Sequence, residues 1–176
     1  VKPGRNVLLF DDGGDHSALQ AAETIAKSGA ILEFMGPDRN ISPDVMGMNL
    51  TPYMRELQPL DVTFTVAHRL VGVARDGNQL TAQISSDYCE DMIETRSFNQ
   101  IVVNHGTTPL ADIYFDLQPY SSNKGEVDYE ALVEGDAQTL RSNSDGQFQL
   151  FRIGDAVSAR NIHATVFDGL RFARAI

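Results

Sequence analysis

Cysteine is almost absent: Cys89 is the only one in the chain. One thiol cannot make an internal disulfide, nor hold an iron–sulfur cluster, which takes several thiolates. Positive charge is scarce too. Fourteen Lys and Arg stand against 24 Asp and Glu, giving a net charge of −10 and a pI near 4.7. A nucleic-acid partner needs clustered basic side chains, so that class of function is excluded. No apolar run approaches the roughly 20 residues of a membrane-spanning helix. The opening Val1-Lys-Pro-Gly-Arg-Asn has no apolar stretch of the signal-peptide kind. A cytoplasmic protein with no membrane partner is the expectation. The chain opens on Val1 rather than Met, which reads as a piece of something longer. What is present is enough for one domain or slightly more: 176 residues, 42% hydrophobic and 22% charged.

Asn6–Phe10 is a short continuous apolar run, as expected of a strand buried on both faces. A tight acidic turn follows, Asp11-Asp-Gly-Gly-Asp-His16. The spacing of Ala18, Ala22, Ile25 and Ala26 predicts a helix over Ser17–Ser28, with Ser17 and Gln20 as a capping box and Gly29 as its stop. Ala30–Met35 reads as a second strand. Further on, the pattern predicts a helix over Pro52–Leu57 and a strand over Asp61–Val66. Arg69–Ala74 and Gln79–Ser85 flank the hairpin signal Asp76-Gly77, and Glu94–Phe98 can add a third antiparallel strand. Gln100–Asn104 is again continuously apolar, so a buried parallel strand. Ser121–Ser144 is polar, with one amphipathic piece around Tyr129–Val133. Gln149–Ile153 reads as a last strand and Ala164–Ile176 as a last helix. The expected fold is α/β: a Rossmann-like parallel sheet with helices on both faces, plus a three-stranded antiparallel meander.

The first turn resembles a dinucleotide-binding fingerprint with one position changed. Aligned on the following helix, Gly13, Asp15 and Ala18 occupy its three glycine positions. The middle glycine normally lets a pyrophosphate lie against the helix N-terminus. A carboxylate there adds bulk and like charge. Two unit charges about 4 Å apart repel by ~1 kcal/mol in water and ~4 kcal/mol at an effective dielectric of 20. Asp15, with Asp11 or Asp12, is therefore expected to fill the anion site itself, stabilised by the helix dipole. The end of the second strand also carries Met35-Gly36 where an acidic residue would bind a ribose. Glu33 lies further back, and Arg39 is the one nearby cation for a 2′-phosphate.

Three stretches carry a family resemblance: this altered turn, the strand-turn Ile101-Val-Val-Asn-His-Gly-Thr-Thr-Pro109, and the closing Ile153-Gly-Asp-Ala156 with its helix. Together with Asn49–Leu57, they resemble the C-terminal region of the trimethylamine dehydrogenase and 2,4-dienoyl-CoA reductase-like flavoproteins, which include N-methylproline and dimethylglycine demethylases. The resemblance runs from Asn6 to Ile176. It implies an FAD/NAD(P)-binding-like fold of three layers. It also implies a parent oxidoreductase, of the amine dehydrogenase/demethylase or the enoyl reductase type, with an FMN-carrying barrel, a 4Fe–4S cluster and two nucleotide-binding-like domains. Residues 1–117 would be the NAD(P)-binding-like domain, 118–148 a connection, and 149–176 the end of an FAD/ADP-type domain.

That resemblance further implies that Gly154, Asp155 and Ala156 approach an ADP or FAD, that Gly106 passes near an adenine, and that Gly13 and Gly14 form the first phosphate turn. The partners implied are the FMN-binding barrel of the same parent and an electron-transfer flavoprotein. No catalytic residue is expected here, since the barrel and cysteine cluster are missing. An NAD(P)H- or FAD-binding domain active in hydride transfer, and a purely structural scaffold, are the alternatives.

Other reactive residues are sparse. His16, His68, His105 and His163 have no metal-ligand spacing, so no metal site is expected. His16 is the one histidine in the first turn, where Asp12 is its natural carboxylate. Cys89 sits among acidic neighbours and reads as a poor nucleophile. The clusters Asp11/Asp12/Asp15 and Asp87/Glu90/Asp91 read as solvated acidic faces rather than cation sites. Arg160 is a candidate for meeting a phosphate, while Arg171 and Arg174 suit the negative end of the last helix.

Overall fold

The computed structural model describes residues 2–175, apart from the side chain of Glu90. It divides into two compact units, the first ending at Gly106 and the second beginning at Thr107.

In the first unit, β1 (Asn6–Asp11), α1 (His16–Lys27) and β2 (Ile31–Met35) form a β–α–β start. A 3-10 turn at Pro43–Val45 leads into α2 (Met46–Leu57). Then come β3 (Val62–Thr65), β4 (His68–Asp76), β5 (Gln79–Ser86), β6 (Cys89–Phe98) and β7 (Gln100–Asn104). The parallel sheet has the order β3-β2-β1-β7, with β1 central; β4-β5-β6 form a separate antiparallel sheet. Register pairs Leu8 with Glu33 on one side and with Ile101 on the other.

The continuous apolar run in β1 is explained by this placement. Successive side chains of a strand point to opposite faces. Val7 and Leu9 join Leu32 and Phe34 against Leu19, Ala22 and Ile25 of α1 and Leu57 of α2. Leu8 and Phe10 point the other way, onto Ala82 and Ile84 of β5 and Phe98 of β6. The expectation of helices on both faces is corrected here: both helices cover one face and the meander covers the other. The alternating inward residues of β4–β6 supply the second apolar layer that helices would otherwise provide. The result is the three-layer α/β fold with a three-stranded meander expected from the sequence.

Several boundaries also move. α1 is capped by Asp15, whose carboxylate accepts the Ser17 N–H at 2.9 Å, and not by the expected Ser17–Gln20 box. α2 begins at Met46, six residues before Pro52. Pro52 is exposed, so the ring and the lost hydrogen-bond donor fall on the solvent side of the helix. The hairpin loop is Gly77-Asn78, because Asp76 pairs with Gln79. Gly77 takes φ +56°, which suits the first central position of a two-residue turn.

The second unit contains α3 (Asp112–Leu117), α4 (Tyr129–Glu134), a 3-10 turn at Gly154–Ala156 and α5 (Ile162–Ala175). The expected strand at Gln149–Ile153 is not formed. The segment is extended, with Ile153 at φ −136° and ψ 163°, but it has no ladder partner among the described residues. A side chain stands in for a neighbouring strand: Asn123 accepts the Leu150 N–H at 2.8 Å and donates to the Leu150 carbonyl at 2.9 Å. α5 starts two residues earlier than predicted, and its expected end, Ile176, lies outside the described residues.

Candidate functional site

The candidate site of the first unit is the turn between β1 and α1, at the carboxyl ends of β1 and β7. Open parallel sheets bind ligands at this end. Asp11 closes β1 and is only 3% exposed. One of its oxygens accepts the Gly14 N–H at 2.9 Å and the Asn104 amide at 3.0 Å; the other accepts the Ser42 hydroxyl at 2.9 Å. Asp15 accepts the Ser17 N–H and lies 3.3 Å from the same Asn104 amide nitrogen. The N–H groups that would cradle a phosphate at Gly14 and Ser17 thus already donate to carboxylates of the chain itself. An incoming phosphate would have to displace these bonds and meet two negative charges.

The turn is tight. Gly14 has φ +69°, a conformation costly for residues with a Cβ. A Cβ on Gly13 would stand 2.8 Å from the Asn104 amide nitrogen. The turn after β7 comes close to this one, the Gly13 Cβ position standing 3.5 Å from the Gly106 nitrogen. Gly106 itself has φ +77° and open space around it. Asn104 and Ser42 were not singled out from sequence. Asn104 ends the apolar strand β7, and a polar residue at that strand end is the signal that could have found it. Ser42, 31 positions from Asp11, left no local trace.

The neighbouring candidates settle differently. Glu33 forms an ion pair with Arg96 and accepts the Thr65 hydroxyl at 2.7 Å, so it does not face a ribose site. Arg39 lies 6.0 Å over the Tyr88 ring, in a groove of about 560 Å³ that it shares with Asp38, Arg69 and Asp87. Arg69 and Asp87 form a two-point pair at 2.7 and 3.2 Å. The hydrogen bond to Asp87, then its charge, holds the Arg69 guanidinium above its ordinary range. His16 lies 3.3 Å from the Tyr53 hydroxyl, while Asp12 is met by His105, also at 3.3 Å; the expected His16–Asp12 contact is therefore corrected. Cys89 is exposed. The described residues contain no group of three or more His, Cys, Asp or Glu arranged for a metal, and the Glu90 side chain lies outside them. None of their helices is long and apolar enough to cross a membrane.

In the second unit, Gly154, Asp155 and Ala156 form the 3-10 turn ahead of α5. Gly154 is buried at φ +57°, and a Cβ there would stand 2.7 Å from Thr165 Cγ2. Its N–H donates to Asp168 at 3.1 Å, and Arg160 pairs with that same carboxylate. The Asp155 side chain is exposed. Arg160, a sequence candidate for a phosphate, is thus engaged by α5.

The fold is the three-layer α/β fold that several solved oxidoreductase structures share. Histamine dehydrogenase from Rhizobium sp. 4-9 superposes with a TM-score of 0.63 over 98% of the chain and 23% of its own, at 18% identity. Lactococcus lactis thioredoxin reductase does so with a TM-score of 0.58 over 97% and 51%, at 15% identity. These likenesses show the fold. No family model matches the sequence.

Sequence relatives are more similar than these structures. A probable N-methylproline demethylase of Rhizobium meliloti is 56% identical over the whole chain, and the N,N-dimethylglycine/sarcosine dehydrogenase of Chromohalobacter salexigens is 36% identical over 99% of it. The chain corresponds to 26% of the length of each. The chain is therefore similar to one segment of each of these two longer proteins, in line with the resemblance read from its sequence.

Proposed function

We propose that this chain is the nucleotide-binding-like, non-catalytic portion of a larger flavin-dependent oxidoreductase acting on an N-methylated amine, and that it does not bind NAD(P). The relatives' names support the reaction class. The observation carrying the second half is the capture of the Gly14 and Ser17 N–H groups by Asp11 and Asp15. A dinucleotide does not fit this turn, so no hydride step passes through it.

The chemistry then belongs to parts of the parent that this chain does not supply. FMN would sit in the barrel. One cysteine cannot hold a 4Fe–4S cluster, so that too would lie outside. Residues 1–117 would be the NAD(P)-binding-like domain, 118–148 a connection, and 149–176 the end of an FAD/ADP-type domain. Gly154, Asp155 and Ala156 would face an ADP or FAD, the exposed Asp155 carboxylate meeting a sugar hydroxyl. Gly106 would face an adenine. The partners would be the barrel domain and an electron-transfer flavoprotein, in the cytoplasm.

Titrating NADPH and NADH into the protein by calorimetry tests this. No binding is expected for the natural sequence, and measurable binding for Asp15→Gly. Glycine costs only a few tenths of a kcal/mol relative to aspartate at a helix N-cap, so the fold survives the change. Tight binding to the natural protein that persists at high salt would sink the proposal.

A purely structural reading draws support from one feature of the second unit. Phe115, Ile162, Val166, Phe167 and Leu170 are between 49% and 81% exposed, which suits a face packed on another surface.

A further inference from the structure

The second unit contains a groove of about 590 Å³ running along α4 and α5, and three arginines, Arg152, Arg160 and Arg171, line it. In a chain with only 14 basic residues this is a local concentration. Two of the three have no carboxylate partner among the described residues. Arg152 lies with its guanidinium carbon 4.9 Å from the Tyr114 ring centre and 5.5 Å from that of Phe115. Arg171 lies 5.3 Å over Phe167. Each makes one long hydrogen bond to a backbone carbonyl, Arg152 to Ala156 and Arg171 to Leu132, both at 3.5 Å.

A guanidinium carries five N–H donors. Here most of them have no protein acceptor among the described residues, while the aromatic rings fix the plane in which they lie. Such stacking costs little and pre-orients the fork for a planar or tetrahedral oxyanion. Of the two acidic side chains of the same groove, Asp168 is paired with an arginine and Glu126 keeps its charge. Asp168 accepts from Arg160 and from the Gly154 N–H, and Glu126 accepts the Ser142 hydroxyl. Three arginines against Glu126 and Asp168 leave the groove a net positive charge, beside apolar lining that includes Leu132 and Phe172.

We propose that this groove is a binding site for a small phosphorylated anion, its phosphoryl oxygens held by Arg152 and Arg171. Charge-assisted forks of this kind are the strongest common contacts to phosphate. The groove borders the Gly154–Ala156 turn, since Asp168 accepts the Gly154 N–H and Arg152 bonds to the Ala156 carbonyl, but Asp155 does not line it, so its phosphate contacts do not include the Asp155 carboxylate. It is also independent of whether the β1–α1 turn binds a dinucleotide.

The test is titration of inorganic phosphate into the full-length protein, followed by 31P line width and calorimetry. Saturable binding is expected, with at least tenfold weaker affinity in both Arg152→Gln and Arg171→Gln. Arg152→Lys keeps the charge and loses the fork, so an intermediate loss is expected; this variant carries the test if a Gln variant fails to fold. Asp155→Asn should leave phosphate affinity unchanged. Glycerol phosphate and ADP in parallel distinguish a simple phosphate ester from a nucleotide as the source of the phosphoryl group. Absence of saturation by phosphate, affinity unchanged from the natural protein in the Gln variants, or a tenfold loss in Asp155→Asn would each overturn the proposal.

Discussion

The two units solve the burial problem in opposite ways. The first hides Val7, Leu8, Leu9, Leu32 and Phe34 almost completely, and its sheet carries the backbone hydrogen bonds. Among the described residues of the second, the only buried apolar ones are Ala111, Leu132 and Ala175. Ser121, Ser122, Asn123 and Gln138 are buried instead. Those polar residues are satisfied. Gln138 accepts the Asp128 N–H at 2.8 Å and returns a bond to the Asp128 carbonyl at 2.9 Å. A layered apolar core specifies the first unit, and side-chain bonds to loop backbone specify the second. Hydrophobic burial tolerates some repacking, whereas a buried hydrogen bond that loses one partner leaves the other uncompensated.

Substitutions can break this contrast. Leu8→Ala should cost about 2–5 kcal/mol, since it removes a fully buried side chain between two layers. Leu170→Ala, at a residue 49% exposed, should cost less than about 1 kcal/mol. Chemical denaturation of both variants is the measurement. Equal losses would mean that Leu170 is covered by another surface and would end the contrast.

Asn123→Ala should follow at about 1–3 kcal/mol, because the Leu150 N–H and C=O and the Glu126 carbonyl all lose their partner. Hydrogen exchange at Leu150 should accelerate while the amides of β1 stay protected. Unchanged exchange at Leu150 would show that this side chain does not hold the segment.

Acidification should have the smallest effect. The hydrogen bond to Arg96 holds the Glu94 carboxyl below the usual range, and the bond to Lys27 does the same for Glu56. A depressed carboxylate stabilises the fold above its unfolded-state value and loses that contribution as pH falls through its folded-state value. Lys27, pushed up to about 12 chiefly by its bond to Glu23, stays charged throughout this range. Both carboxyls are solvent-exposed, so the melting temperature should fall only slightly between about pH 5 and pH 3. Glu94→Gln should flatten part of that slope in the first unit. A slope that Glu94→Gln and Glu56→Gln both leave intact would move the acid sensitivity elsewhere.

The parts of the fold that were legible in the sequence are those that local chemistry dictates. The buried strand β1 announced itself as a continuous apolar run, and α1 as an apolar stripe ending at Gly29; the same kind of run in β7 marked a parallel strand but not a buried one, because β7 lies at the sheet edge with Val103 41% exposed. The start of α2 was hidden by Pro52, whose usual meaning as a helix boundary fails when it faces solvent. Gln149–Ile153 has the composition of a strand, but a strand also needs a neighbour, and composition carries no record of that. At the candidate site, the glycines and the intruding Asp15 were readable from spacing. The contacts of Asp11 with Ser42 and Asn104 span 31 and 93 positions and were not. Asp12 meets His105 and not the expected His16, because proximity in sequence did not become proximity of ring and carboxylate.

By itself the sequence determined the α/β class, the β–α–β start, the family resemblance and the replacement of a phosphate-turn glycine by Asp15. These follow from short-range periodicity, turn chemistry and composition. Only the tertiary structure decided that the meander rather than helices covers the second face of the parallel sheet. It alone decided that Asp11 and Asp15 hold the turn's own N–H groups, and that Arg152 and Arg171 converge on one groove. Each of these depends on which distant residues the packed chain brings within hydrogen-bonding or van der Waals distance, and neither periodicity nor composition encodes that.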